Sequence, residues 1–244
     1  MTVQDQVQLH FVDLLMAKGI TLSDDQLHQF EVYYRELIDW NERMNLTGIT
    51  EREQVYIKHF FMILSLYHFF VSMNDIATLA DIGSGAGFPS VPLKIAFPHL
   101  KVTIVDSLNK RIQFLKHLTG SLGLTDVHCV HGRAEDISRL PEHRDRYDLV
   151  TARAVAKLAV LNEFCLPFAR TNGMFAAMKG QDVQAELQEA KRSLRELHGQ
   201  VVQTHHFELP VEESSRHMVL IEKTGPTPRN YPRKAGMPLK SPLI

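Results

Sequence analysis

The sequence predicts an α/β protein: a mostly parallel, doubly wound sheet of seven strands behind an N-terminal helical cap. Three observations predict it. Apolar residues recur at helical spacing through the first seventy positions. From residue 76 onward, short apolar runs alternate with helical segments. The first of those runs ends in a loop of three alternating glycines.

The cap comes first along the chain. Ser23 followed by Gln26 forms a capping box, and Leu27, Phe30, Tyr34, Leu37, Ile38 and Met44 then mark one helical face. A polar joint, NERMNLTGIT (41–50), separates this helix from the next. Thr50 and Glu53 repeat the capping signature before Phe60, Phe61, Tyr67, Phe69 and Phe70. Among other apolar residues at helical spacing, these aromatics read as core and not as a stacking platform. Residues 59–74 lack Asp, Glu, Lys and Arg, but a bilayer span needs about 20 apolar residues. The stretch is a buried helix.

The strands are expected at 76–82, 102–106, 127–131, 147–151, 174–179, 201–207 and 218–222. Helical segments at 90–97, 109–122, 134–139, 156–168 and 182–198 follow the first five. No helix separates the last two strands, so they form an antiparallel pair at one edge. The organisation is therefore a helical segment (1–74), a central α/β domain (75–224) and a C-terminal tail (225–244). The tail carries Arg229, Arg233, Lys234 and Lys240 without an acidic residue, and its prolines forbid regular structure. It reads as basic and extended, either a solvated terminus or a patch for a polyanion.

Composition excludes several classes. Lys and Arg total 27 against 28 Asp and Glu, so the chain is neither a polybasic binder nor an acidic disordered one. Any nucleic-acid site must be a local patch. Cys129 and Cys165 cannot build a disulfide framework, and the first ten residues are polar. The chain reads as soluble and cytoplasmic. Thirteen histidines supply no ligand set at metal spacing, and His205 and His206 point to opposite faces of a strand. No metal is expected.

The sharpest local signal is DIGSGAGFP (81–89). Its glycines let a ligand approach the main chain, at the position where open α/β sheets bind nucleotide-like molecules. The spacing is not the dinucleotide fingerprint, because the third glycine comes one residue early and Phe88 stands in its place. Phe88 and Pro89 also crowd the helix start that a pyrophosphate requires. A ligand that carries adenosine without phosphate fits better. Asp106 ends the second strand, where a carboxylate accepts bonds from ribose hydroxyls; a helix cap is the plainer alternative. After the third strand come Ala134 and Glu135, placed to read a base edge.

These features resemble a Rossmann-like S-adenosylmethionine-dependent methyltransferase. More narrowly, the chain resembles the bacterial 16S ribosomal RNA guanine-N7 methyltransferases, the glucose-inhibited division protein B family. The resemblance rests on Asn45–Leu46–Thr47, His59, the glycine loop, Asp106–Ser107 with Lys110–Arg111, 133–136, Arg153–Ala154, Lys179–Gly180 and the tail motif YPRKAGMP (231–238). It implies S-adenosyl-L-methionine as cofactor, with contacts at Gly83, Gly85, Phe88, Asp106, Ala134, Glu135 and Arg153. It also implies methylation of the guanine at position 527 in 16S rRNA, on the small ribosomal subunit or an assembly intermediate, with no obligate protein partner. Two positions depart from the family pattern: Met62–Ile63 stand where Asp-Ser is usual, and Ser90 where Gly is usual.

The residues agree with that chemistry. Methylation at a base carbon C5 needs a cysteine nucleophile, and both cysteines lie inside elements. Amine methylation commonly uses an Asn/Asp-Pro-Pro-aromatic element after the fourth strand, where this chain has Thr151, Ala152 and Arg153. Guanine N7 presents an in-plane lone pair and needs no base. Arg153 is the candidate catalytic residue, either holding the methionine carboxylate or a substrate phosphate, or bracing Glu135. Lys110, Arg111, Arg229, Arg233, Lys234 and Lys240 are the candidate RNA contacts. The rival functions are a small-molecule methyltransferase, a non-catalytic ribosome-binding assembly factor and a nicotinamide dehydrogenase.

Overall fold

A computed structural model describes residues 5–153, 156–180, 183–209 and 212–244. Ala154, quoted above beside Arg153, lies outside them, and so do the side chains of Phe69 and Phe70.

The cap consists of α1 (Gln6–Met16), α2 (Asp24–Met44), α3 (Arg52–Val55), a π-helical turn (Tyr56–Phe61) and α4 (Met62–Phe70). Ser23 and Gln26 close both bonds of the expected capping box at the start of α2. The second capping signature is corrected. Glu51, not Thr50, caps α3, and its carboxylate accepts the amides of Glu53 and Gln54. All six residues of the π-helical turn are buried, which turns the polar side chains of Lys58 and His59 inward. Phe11, Phe30, Tyr56 and Phe60 pack mainly edge to face with centroids 4.9–6.5 Å apart.

The sheet comprises β1 (Thr78–Ile82), β2 (Lys101–Asp106), β3 (Val127–His131), β4 (Tyr147–Arg153), β5 (Ala169–Lys179), β6 (Gly199–Leu209) and β7 (Glu212–Lys223). Their spatial order is β3-β2-β1-β4-β5-β7-β6. The pairs among the first five are parallel. β7 runs antiparallel between β5 and β6, which makes the last two strands the expected antiparallel pair. The crossover helices are α5 (Ser90–Ala96), α6 (Asn109–Ser121), α7 (Ala134–Ile137), α8 (Leu158–Cys165), α9 (Val183–Glu189) and α10 (Lys191–Glu196).

Alternation along the strands separates two cores. Leu79, Val102, Ile104, Leu149 and Ala176 face the cap with α5 and α6, in one continuous core. Ala80, Ile82, Val105, Val150 and Phe175 face α8 on the other side. Met62 and Ile63, the departures from the family pattern, are buried in the first core and serve packing. Among the described residues, no helix is long and apolar enough to cross a membrane.

The tail is not extended, contrary to the expectation from its prolines. It lies against α8 and α10 and closes with one helical turn, α11 (Met237–Lys240), that accommodates Pro238 in its first positions. Arg144 donates to the carbonyls of Thr227, Pro228 and Tyr231, Arg139 to that of Pro232, and the Ser193 amide to that of Leu243 at 3.1 Å. A proline-rich chain lacks internal helical bonds, so its carbonyls find partners on the domain.

Candidate active site

Strand order reverses between β1 and β4, and the glycine loop leaves β1 at that switch point. Ligands of open α/β sheets occupy the crevice there. Phe88, in the loop, packs between Tyr33 of α2 (centroids 5.4 Å, 23° between planes) and His59 (4.5 Å). The Tyr33 hydroxyl also donates to the Ala86 carbonyl at 2.7 Å. The cap therefore holds the loop from behind. The helical face read from the sequence holds Tyr34, but it is Tyr33 that is fully buried, while Tyr34 is half-buried.

Gly87 shows how tight that contact is. At φ +97°, a Cβ would lie 2.8 Å from the Tyr33 hydroxyl and 2.9 Å from Val91 Cγ2, whereas one on Gly85 meets nothing within 4 Å. Gly87→Ala is expected to destabilise the fold by about 1–3 kcal/mol, and urea unfolding of the two alanine variants should rank Gly87 above Gly85.

A cavity of about 430 Å³ opens over the loop, bordered by Gly83, Gly85, Phe88, Asp106, Arg111 and Arg153, with Thr47 and His59 on the cap side. Ala134 and Glu135 are not on it. They border a neighbouring cavity of about 150 Å³, which shares Gly83 and Ser107 with the first. Pro89 precedes α5 as its cap and does not occupy its first turn. Ser90, the other departure from the family pattern, has a partner. Its hydroxyl donates to Asp81 Oδ2 at 2.5 Å.

Asp106 is engaged on both oxygens. Oδ2 accepts the Gly85 amide at 3.2 Å and lies 3.6 Å from Arg111, and Oδ1 accepts the Leu108 amide at 2.9 Å. An ionised carboxylate has about four acceptor sites, so this bracing leaves capacity for a ribose hydroxyl. Arg153 does not brace Glu135. Its Nη2 donates to His59 Nδ1 at 3.0 Å, its guanidinium lies 5.5 Å from the Phe88 ring centroid, and its buried Nη1 has no partner.

His59 Nδ1 meets a donor and an acceptor at once, Arg153 Nη2 at 3.0 Å and the Lys58 carbonyl at 3.2 Å, and Nε2 lies 3.2 Å from Thr47 Oγ1. Thr47 in turn accepts the Ile49 amide at 3.1 Å. Burial first, then the Arg153 charge, push the His59 pKa down to about 3. Asp81, fully buried beneath the loop, moves the opposite way. Burial raises its pKa to about 7 against its bonds to Ser84 and Ser90, and its Oδ1 has no partner.

The two shifts oppose each other in stability. His59 binds its proton only in the unfolded chain between its ordinary value of 6.5 and 3, so its stability is lost as pH falls through that window. Asp81 binds its extra proton in the folded chain between 3.8 and 7, so its contribution is present at low pH and lost as pH rises. Each slope approaches about 1.4 kcal/mol per pH unit. Asp81→Asn should unmask the histidine and steepen the loss of stability from pH 6.5 to 4.5. Equal slopes in variant and wild type, by urea unfolding, would count against the pairing.

The basic candidates separate. Lys110 is exposed at the start of α6 beside the large cavity, and Arg229, Lys234 and Lys240 are exposed on the tail. Arg233 is corrected. Its Nη2 and Nε donate to the carboxylate of the fully buried Glu163 at 2.7–3.1 Å, and its amide also donates there, so it is committed to the fold. Burial pushes the Cys129 thiol up to about 11 and Cys165 well above its ordinary range, which suits packing and not nucleophilic attack.

The family described as GidB, rRNA small subunit methyltransferase G, matches residues 26–219. The chain belongs to this family. The ribosomal RNA small subunit methyltransferase G of Bacillus pumilus is 54% identical over 233 residues, covering 96% of this chain and 97% of its own. That of Brevibacillus brevis is 51% identical, covering 96% and 98%. In fold alone, the chain is similar to the YcgJ protein of Bacillus subtilis (13% identity, TM-score 0.52, 67% of this chain and 99% of that one). It is similar in the same sense to a ribosomal protein L11 methylase of Lactobacillus delbrueckii (15%, TM-score 0.52, 72% and 81%). As a methyltransferase G family member, the chain is an S-adenosylmethionine-dependent enzyme. The cavity fits that cofactor on its own terms, since the orphaned Nη1 of Arg153 is a buried cationic donor that wants a carboxylate.

Proposed function

We propose that this enzyme methylates N7 of a guanine, the one at position 527, in 16S rRNA of the small ribosomal subunit in the cytoplasm. The observation that carries the reading is the state of the cavity's polar groups. Both ring nitrogens of His59 are engaged within the protein, Nδ1 by Arg153 and the Lys58 carbonyl and Nε2 by Thr47. A site whose imidazole is held on both nitrogens suits an acceptor that has no proton to lose.

S-adenosylmethionine, when bound, supplies a methyl group already activated on a sulfonium, so the chain's task is to bind, orient and exclude water. Arg153 Nη1 would hold the methionine carboxylate, Asp106 the ribose, and Ala134 with Glu135 the base. Gly83 and Gly85 bring the main chain close, and Phe88 backs the loop. Arg153 is thus a binding residue for the reacting molecule and transfers no proton. Lys110 and Arg111 flank the cavity mouth and, with Arg229, Lys234 and Lys240, would neutralise RNA phosphates. Each such contact adds about 0.7 to the log–log salt slope on a single strand.

The test is methyl transfer from labelled S-adenosylmethionine to 30S subunits and to naked 16S rRNA from cells lacking this protein. Chain cleavage at N7-methylguanine then maps the product. Label at a single guanine N7 establishes reaction and target. No label in either RNA, with measurable cofactor binding, rejects the rRNA substrate in favour of a small molecule.

A further inference from the structure

The smaller cavity has a wall that the sheet does not supply. Its floor is apolar, built from Ile82, Val105 and Phe164, and its rim carries Ala134 and Glu135; its outer side is Leu239 of the C-terminal tail. Leu239 is 55% exposed, whereas Pro238 and Leu243 of the same tail are buried. The tail also touches the rim directly. The Gly236 amide donates to Glu135 Oε1 at 2.8 Å, across 101 positions of sequence. Arg233 on Glu163, and Arg144 on three tail carbonyls, hold the segment in place on either side of α8. A small, largely apolar cavity with the Glu135 carboxylate among its lining suits a purine ring bearing an amine.

We propose that the C-terminal tail is part of the cofactor site. Leu239 forms the outer wall of the base subsite, and the Gly236 amide orients the Glu135 carboxylate that reads the base edge. The proposal rests on the cofactor placement given above. It also gives the tail a second task beside RNA contact. Base binding and tail docking then stabilise each other by the same factor.

The test uses the full-length protein and the unreactive product S-adenosylhomocysteine, with 5′-methylthioadenosine as a ligand that retains the base. By calorimetry, Leu239→Ala should weaken both about tenfold, because it uncovers one face of the ring. Ile244→Ala, at an exposed residue of the same tail, should leave both unchanged. Leu239 is exposed, so its truncation leaves the cores intact. In wild type, hydrogen exchange at tail amides, Gly236 among them, should slow when S-adenosylhomocysteine binds. Wild-type binding that Leu239→Ala leaves within about twofold, with tail exchange unchanged, overturns the proposal and assigns the tail to RNA alone. Failure of wild type to bind S-adenosylhomocysteine at all overturns the cofactor placement, and this proposal with it.

Discussion

Arg153→Ala is expected to weaken S-adenosylhomocysteine binding by about 10- to 100-fold while leaving 5′-methylthioadenosine binding within about twofold. The difference follows from where the unpartnered donor lies. Nη1 is buried and has no hydrogen-bond partner among the described residues, so a carboxylate there gains a charge-assisted bond worth about 1.5–3 kcal/mol without displacing an existing partner. A ligand without the amino-acid group never makes that bond. Arg153→Lys should not rescue it, because an ammonium cannot lie on Phe88 and bond His59 while also presenting a second donor. His59→Phe should reproduce part of the loss, and His59→Asn, which keeps an acceptor near Nδ1, should recover some of it. Unchanged cofactor affinity in Arg153→Ala, with a raised KM for RNA, would move Arg153 to the substrate side.

The fold and half of the site were legible because they depend on local order. The glycine loop, Asp106 and Arg153 end the adjacent strands β1, β2 and β4, and strand ends on one side of a parallel sheet converge whatever the rest of the chain does. Ala134 and Glu135 follow β3 for the same reason. The remainder depends on contacts between distant segments. Nothing in the periodicity of α2 marks Tyr33 as the residue that supports a loop 53 positions later. Nothing near His59 announces Arg153, 94 positions away. Ser90 reads as a small change from the family's glycine until the buried Asp81 beneath it appears.

The tail was misread for a physical reason. Proline and positive charge together describe a segment that makes no structure of its own, and that much is right. They do not tell whether the folded domain offers it partners. Here the domain offers Arg139, Arg144 and a buried carboxylate, so the prolines cost nothing: the carbonyls they leave unpaired are the ones the arginines take.

Arg233→Ala is therefore expected to act on stability and not on RNA affinity, lowering it by about 3–5 kcal/mol. Glu163 is fully buried on α8, and Arg233 supplies its charged partner with both Nε and Nη2. The truncation leaves the buried Glu163 carboxyl with the Arg233 amide alone, which removes more than the net worth of the pair. At this chain length, about 2–4 °C accompanies each kcal/mol, so the thermal midpoint should fall by about 10 °C. Replacing both partners, as in Glu163→Leu with Arg233→Met, should recover much of that loss, because no buried charge then remains. Arg229→Ala supplies the contrast. Arg229 is exposed, so its removal should change stability by no more than about 0.5 kcal/mol while lowering the salt slope of RNA binding by about 0.7. A stable Arg233→Ala variant with weakened RNA binding would return Arg233 to the RNA surface, and would mean that the Glu163 carboxylate finds another partner when the guanidinium is gone.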